Sequence, residues 1–217
     1  MSAPYYQDDL VTLYHGDCLE VTEWLAADVL VTDPPYGVDY QSGRRRENLA
    51  ASILNDTDTT VRDAVIEMWA DRPALVFGSW KITRPAATKS LLIWDTKGAL
   101  GMGDLRIPWK PSHQEIYVLG NGKWKGRRDT DVLSFAPVQA TARNGRTHPH
   151  EKPIRLMDEL IAKTTGVVAD PTAGSGSTLV SASRLGRRSI GVELDERYCE
   201  TIAKRLSQQA FDFGDIA

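Results

Sequence analysis

The sequence predicts an α/β fold, and three observations carry that expectation. Short apolar runs of strand character alternate with segments whose apolar residues recur at helical spacing. Two of the strand-like runs end on an aspartate followed by proline, at Asp33 and Asp170. The second of these passes through a glycine-rich turn straight into a helix-like segment.

Taken in order, residues 10–14 read as a strand leading to Gly16-Asp17-Cys18, and residues 29–32 as a strand ending at Asp33. After an irregular stretch through Arg44-Arg45-Arg46, residues 59–70 have helical spacing and residues 74–78 return to strand chemistry. Residues 91–94 and 116–119 supply two more strands. Gly98, Gly101 and Gly103 follow the first of them, and the tight turn Gly120-Asn121-Gly122 follows the second. Periodicity weakens over residues 123–150, which read as an ordered surface loop or a small insertion. Pro153 suits a first helical turn, where its missing N–H is not needed, and Ile154, Met157, Leu160 and Ile161 then share one face. Gly166 ends that helix, residues 167–169 enter the glycine-rich turn, and helix resumes over residues 179–185. Residues 189–192 form the next strand with Glu193 at its end, and Tyr198, Ile202, Ala203 and Leu206 hold a terminal helix to the domain.

Composition sets outer bounds. A chain of 217 residues, 41% hydrophobic and 25% charged, can bury a substantial core as one domain over residues 1–217. No run approaches the roughly 20 apolar residues that span a bilayer, and the N-terminus lacks a signal-peptide core. Cys18 and Cys199 are the only cysteines and form no CxxC pair, so neither a disulfide framework nor a cysteine zinc site is expected, and the chain reads as intracellular and reduced. A net charge of −3 argues against wrapping nucleic acid over the whole surface and leaves room for a local positive groove.

Asp33-Pro34-Pro35-Tyr36 joins a hydrogen-bond acceptor, a rigid bend and an aromatic face at a strand end. That set suits a planar, amino-bearing base: the Asp33 carboxylate and the Pro34 carbonyl accept the two amino hydrogens while Tyr36 stacks. An exocyclic amine is a poor nucleophile because its lone pair is delocalised into the ring. Acceptors that favour a more pyramidal nitrogen, aligned behind an electrophilic methyl, lower the barrier by orientation and electrostatics. The plainer reading is that the prolines end the strand and Tyr36 covers its edge.

In Asp170-Pro171-Thr172-Ala173-Gly174-Ser175-Gly176-Ser177-Thr178, the glycines let backbone N–H groups approach a ligand, and the following helix N-terminus favours an electronegative group. The segment is neither a full GxGxxG pattern nor a lysine-bearing phosphate loop, and it also reads as a tight turn between strand and helix. Glu193 stands where a carboxylate can hold ribose hydroxyls, or it caps the helix near Asp195. Asp17 can take an adenine amino group or stabilise a turn. Reaching a base inside a duplex requires flipping it out, at a cost of a few kcal/mol. Arg44, Arg45 and Arg46, together with Lys123, Trp124, Lys125, Arg127 and Arg128, can contact phosphates or fill the vacated space, or they are simply solvated loops. His148 and His150 lack a familiar ligand spacing, so no metal is expected.

These residues closely resemble the amino-methyltransferases that use S-adenosylmethionine to modify adenine N6 or cytosine N4 in DNA, and the resemblance covers nearly the whole chain. It implies that Asp33 to Tyr36 are catalytic and that Asp170 to Thr178 form the methionine-side cofactor loop. It also implies that Glu193 contacts the cofactor ribose, Asp17 lies near its adenine, and Lys152 and Pro153 of His148-Pro149-His150-Glu151-Lys152-Pro153 precede the first cofactor-side helix. Pro171-Thr172-Ala173 stands where a phenylalanine and another small residue are common, which removes an aromatic contact and preserves the glycine turn. With the catalytic motif before the cofactor loop, the order resembles the circularly permuted beta subgroup. The implied fold is Rossmann-like, a seven-stranded mixed sheet flanked by helices.

The family's target-recognition segment maps to a short insertion at residues 116–148, so dimerisation or the loop at residues 37–55 is expected to assist recognition. The implied reaction is transfer to adenine N6 in double-stranded DNA, since Asp before Pro-Pro-Tyr goes more often with N6 and Ser with N4. Cytosine N4 methylation and a noncatalytic nucleic-acid-binding protein are the alternatives. The implied setting is the cytoplasm of a bacterial or phage-infected bacterial cell, with no membrane partner, where restriction-modification, regulation and phage protection all use this chemistry.

Overall fold

A computed structural model describes residues 3–35, 59–98, 102–138 and 151–214. Tyr36, Arg44, Arg45, Arg46, His148 and His150 lie outside the described residues. The elements follow in the order β1 (Tyr6–Gln7), β2 (Val11–His15), a 3-10 helix (Glu23–Ala26), β3 (Val29–Thr32), α1 (Thr60–Trp69), β4 (Ala74–Gly78), β5 (Ser90–Asp95), β6 (His113–Leu119), β7 (Val132–Ser134), α2 (Ile154–Ala162), β8 (Val168–Asp170), α3 (Ser177–Arg184), β9 (Ser189–Glu193) and α4 (Glu196–Gly214).

One sheet collects all the described strands in the order β1-β2-β9-β8-β3-β4-β6-β5-β7. Strands β2, β9, β8, β3 and β4 run parallel, and β6 is antiparallel to both β4 and β5. The seven-stranded expectation is corrected to nine strands among the described residues. The two additions are edge strands of two and three residues, β1 and β7, too short to carry a recognisable alternation. They flank a seven-stranded mixed core, and they shorten the exposed edges of the sheet.

Alternation within the central strands sends side chains to two layers. Leu30, Ala74 and Val76 pack with Trp24, Val65 and Trp69 beside α1 and the 3-10 helix, while Val29, Val31, Leu75 and Phe77 pack with Leu156, Met157, Leu160 and Ile161 of α2. A third cluster joins Val11 and Leu13 of β2 to Leu179 and Val180 of α3 and to Cys199, Ile202 and Leu206 of α4. Ile154 belongs to this third cluster and is only partly buried, so the buried face of α2 starts at Leu156.

The segment at residues 116–148, expected to hold a short insertion, starts inside the sheet. Residues 116–119 lie in β6, where Ile116, Tyr117 and Leu119 are buried between β4 and β5. The stretch that can vary therefore begins only after Leu119. The chain then turns at the N-terminal end of β4, where the Asn121 N–H donates to the Asp71 carbonyl.

Candidate active site

The permuted motifs meet because β3 and β8 are parallel neighbours. Leu30 pairs with Ala169, which brings the ends of both strands to one edge. From β8 the chain continues through α3 to β9, and from β3 through α1 to β4, so connections leave in opposite directions. Such a reversal opens a crevice at the strand ends, where ligands of open α/β sheets bind. The crevice here is lined by Asp33, Lys152, Asp170, the loop residues Thr172, Ala173, Gly174 and Ser175, and Ser177 and Thr178 from the first turn of α3. Phe77 and Met157 complete it. Neither belongs to a motif, and the only signal for Phe77 is its place beside the end of β3, which needs strand order to recognise.

On the glycine-rich side the protein satisfies its own polar atoms. Glu193 accepts the Gly174 N–H at 2.7 Å through Oε2 and the Asp195 N–H at 2.8 Å through Oε1. One carboxylate thus ties the loop and also serves the start of α4, as the capping reading of Glu193 expects. Asp170 accepts the Thr32 hydroxyl at 2.7 Å and the Thr172 N–H at 3.3 Å. Burial pushes the Asp170 carboxyl up to about 6 and the Glu193 carboxyl up to about 7, against the hydrogen bonds that favour their ionised forms. Gly176 holds φ +79°, and a Cβ there would lie 2.8 Å from Ile202 Cγ1, so the turn into α3 needs glycine. From α4, Arg205 donates to the Ser175 carbonyl at 2.7 Å and pairs with Glu151 at 3.1 Å, clamping the loop from behind.

The Asp33 side differs. Lys152 pairs with Asp33 Oδ2 and sits 4.8 Å from the centroid of the Phe77 ring, whereas Asp33 Oδ1 is buried without a hydrogen-bond partner among the described residues. A buried acceptor left open is costly, and its presence in a crevice marks a place for an incoming donor. Lys152, expected on the cofactor side, lines the crevice together with the glycine-rich loop and also contacts the Asp33 carboxylate. Pro34 continues from β3 as a buried residue and Pro35 is partly buried, while Pro171 is buried behind the loop.

Asp17 lies at the end of β2, next to β9, where its carboxylate accepts the Leu19 N–H at 2.9 Å. Asp17 and Glu193 stand on adjoining strand ends, beside the lined crevice rather than in it. Burial pushes the Cys18 and Cys199 thiols up to about 12, so neither offers a thiolate near neutral pH.

The basic run Lys123, Trp124, Lys125, Arg127, Arg128 is exposed but lies at the opposite edge of the sheet. The Lys125 N–H donates to the Lys163 carbonyl at 2.9 Å, and Lys163 Nζ donates to the Arg127 carbonyl at 2.6 Å. Lys163 follows α2 and precedes β8, so this run packs where the parallel strands begin, not where Asp33 and Asp170 end them. The expectation that Trp124 fills the gap beside a displaced base is corrected on that ground.

An open α/β sheet with a glycine turn and an Asp-Pro-Pro segment at adjoining strand ends has the layout of a nucleotide- or nucleoside-binding α/β protein. Comparison with known proteins agrees: residues 108–205 match the N6/N4 methyltransferase family model described as DNA methylase. YubD of Escherichia coli (strain K12), named as a methylase, is 31% identical over 92% of this chain and 92% of that protein. The type II methyltransferase M2.LlaDCHI of Lactococcus lactis subsp. cremoris is 24% identical over 97% of this chain and 94% of that protein. Among solved structures, the PvuII DNA methyltransferase (cytosine-N4-specific) has a TM-score of 0.69 at 16% identity, covering 93% of this chain and 88% of that one. The M1.HpyAVI–SAM complex has a TM-score of 0.67 at 19% identity, covering 91% and 99%.

The chain belongs to the N6/N4 family of S-adenosylmethionine-dependent DNA methyltransferases. Its residues fit that cofactor. A positive-φ glycine turn allows close approach to a ligand, the buried acid Asp170 lines the crevice beside that turn, and Glu193 ends the neighbouring strand.

Proposed function

We propose that this methyltransferase modifies the N6 amino group of adenine in duplex DNA, after the base is flipped out of the stack, by direct in-line transfer. The observation that carries this reading is the Oδ1 of Asp33, buried and without a partner among the described residues, in the crevice that also contains the glycine turn. Bound S-adenosylmethionine supplies an electrophilic methyl on a sulfonium sulfur, and residues 172–178 with Glu193 and Asp17 hold it. Asp33 Oδ1 and the Pro34 carbonyl accept the two amino hydrogens, and Tyr36 stacks on the base. As the new N–C bond forms and the bond from the methyl to sulfur breaks, with S-adenosylhomocysteine as the neutral leaving group, positive charge grows on the nitrogen. The Asp33 carboxylate stabilises that charge and takes the proton that leaves. Lys152 anchors the other Asp33 oxygen, so the acceptor does not rotate away. No covalent protein nucleophile takes part.

Adenine rather than cytosine is read from the aspartate that precedes Pro-Pro-Tyr. The expected setting is the bacterial cytoplasm, with double-stranded DNA as partner and a homodimer as a route to fuller recognition. The test is mass spectrometry of nucleosides from unmethylated duplex DNA incubated with the protein and isotopically labelled S-adenosylmethionine. Labelled N6-methyladenine is the expected product. Labelled N4-methylcytosine would keep the mechanism and change the base, and no labelled nucleoside would sink the reading.

A further inference from the structure

Among the described residues, every large hydrophobic side chain that is more than half exposed comes from two segments: Trp80 at 58%, Met102 at 67%, Leu105 at 78%, Ile107 at 54% and Trp109 at 77%. Both segments sit at the catalytic edge of the sheet. Thr32 pairs with Val76, so Asp33 stands level with Phe77, and Gly78 ends β4 one residue later, immediately before the segment that carries Trp80. Gly78 pairs with Glu115 of β6 and Asp95 of β5 pairs with His113, so residues 102–112 project from that same edge. Their base is closed where the Thr96 N–H and hydroxyl both donate to the Ser112 carbonyl at 2.8 Å.

Five large apolar side chains exposed along one edge of the sheet mark a surface for a partner, and the charges beside them say which kind. Residues 102–112 contain Arg106 and Lys110 against a single acid, Asp104, and Lys81 follows Trp80. Asp104 is spent inside the turn, accepting the Arg106 N–H at 3.0 Å and pairing with its guanidinium at 2.7 Å. Lys81 and Lys110 are exposed and pair with no acid among the described residues, which leaves them to face an external anion. Apolar side chains flanked by lysines match duplex DNA opened at one step: wedges fill the gap and cations meet the phosphates on either side. The opposite edge offers Lys123 and Lys125 but cannot meet a base whose amine sits at Asp33.

We infer that residues 102–112, with Trp80 and Lys81, are the surface that docks duplex DNA beside the flipped base, a role that rests on the methyltransferase reading above. Trp109 and Leu105 enter the groove next to the vacated position, and Lys81 and Lys110 hold the phosphates.

The test compares the full chain with three variants: Trp109→Ala, Lys81→Gln/Lys110→Gln, and Lys123→Gln/Lys125→Gln. Affinity for unmethylated duplex fragments is measured over a salt series, alongside labelled methyl incorporation, S-adenosylmethionine affinity by calorimetry, and sedimentation. Trp109→Ala should weaken DNA binding about tenfold, in line with the loss of one stacked or inserted aromatic. The Lys81→Gln/Lys110→Gln pair should reduce the magnitude of the salt slope by about two, as expected for two lost phosphate contacts. Cofactor affinity stays at the parent value in both, and Lys123→Gln/Lys125→Gln behaves as the parent. The docking surface is overturned if its variants bind DNA normally while Lys123→Gln/Lys125→Gln loses affinity. It is equally overturned if Trp109→Ala splits a dimer without changing DNA affinity, which would assign the patch to a second copy of the chain. A parent protein that binds cofactor but neither binds nor methylates DNA fails differently, removing the methyltransferase reading itself.

Discussion

The two sides of the crevice are built on opposite principles. On the cofactor side, Glu193 and Asp170 have their oxygens occupied by backbone N–H groups and a threonine hydroxyl, so the loop is held in shape by the protein alone. On the target side, Asp33 has one oxygen fixed by Lys152 and the other buried with nothing to accept from among the described residues. The first arrangement is a mould that needs no ligand to persist. The second is an acceptor held in reserve, oriented in advance for a donor that arrives with the substrate. The difference teaches where each mutation should act: binding should fail on one side and turnover on the other.

Asp33→Ala should separate the halves most sharply. Turnover should fall by at least ~10²–10³, the scale of one lost preorganised electrostatic contact, while S-adenosylmethionine affinity in calorimetry stays near the parent value. Unchanged turnover would remove Asp33 from catalysis.

Gly174→Val should do the reverse. Gly174 holds φ +54°, and forcing a β-branched residue into that region costs at least about 1–2 kcal/mol, so cofactor affinity should drop about tenfold or more. Equal affinity in calorimetry would count against the loop assignment.

Lys152→Met sharpens the comparison, because this residue was expected on the cofactor side and is found against Asp33. Its kcat should fall by roughly tenfold, the order of one charge-assisted hydrogen bond, with cofactor affinity little changed and partial recovery in Lys152→Arg. A loss confined to cofactor affinity would return Lys152 to the other half.

The smallest effect is a pH dependence of stability. Asp170 and Glu193 are raised from ordinary values of 3.8 and 4.5 to about 6 and about 7, so the folded protein keeps protons that the unfolded chain releases. The stability they contribute is full below those ordinary values and is lost as pH rises through about 6 for Asp170 and about 7 for Glu193. Carboxyls held low by cationic partners, such as Glu115 beside Arg84, titrate below that window. Thermal unfolding of the cofactor-free protein should therefore show a melting temperature that declines from pH 5 towards pH 7, and Glu193→Gln should flatten the decline above pH 5. A flat parent profile would mean that these carboxyls are better solvated than their burial implies.

Much of this protein is legible in contiguous residues. The runs at residues 29–32 and 74–78 are strands with those same bounds, because a short unbroken apolar run and a flanking breaker are local signals. The Asp-Pro-Pro segment and the glycine turn are visible for the same reason, since each packs its chemistry into a few adjacent positions. What was not legible involves distance along the chain. The Lys152 contact with Asp33 spans 119 residues and the Thr32 bond to Asp170 spans 138, and no local pattern reports either. The two basic, tryptophan-bearing segments around Lys110 and Lys123 look equivalent as sequence. The reversal of β6 sends one to the catalytic edge and the other to the far side. Composition and short motifs by themselves determined the kind of chemistry this chain can perform. Strand order and direction decided which residues meet across the crevice and which surface faces the substrate, because only tertiary packing converts a place in the chain into a place in space.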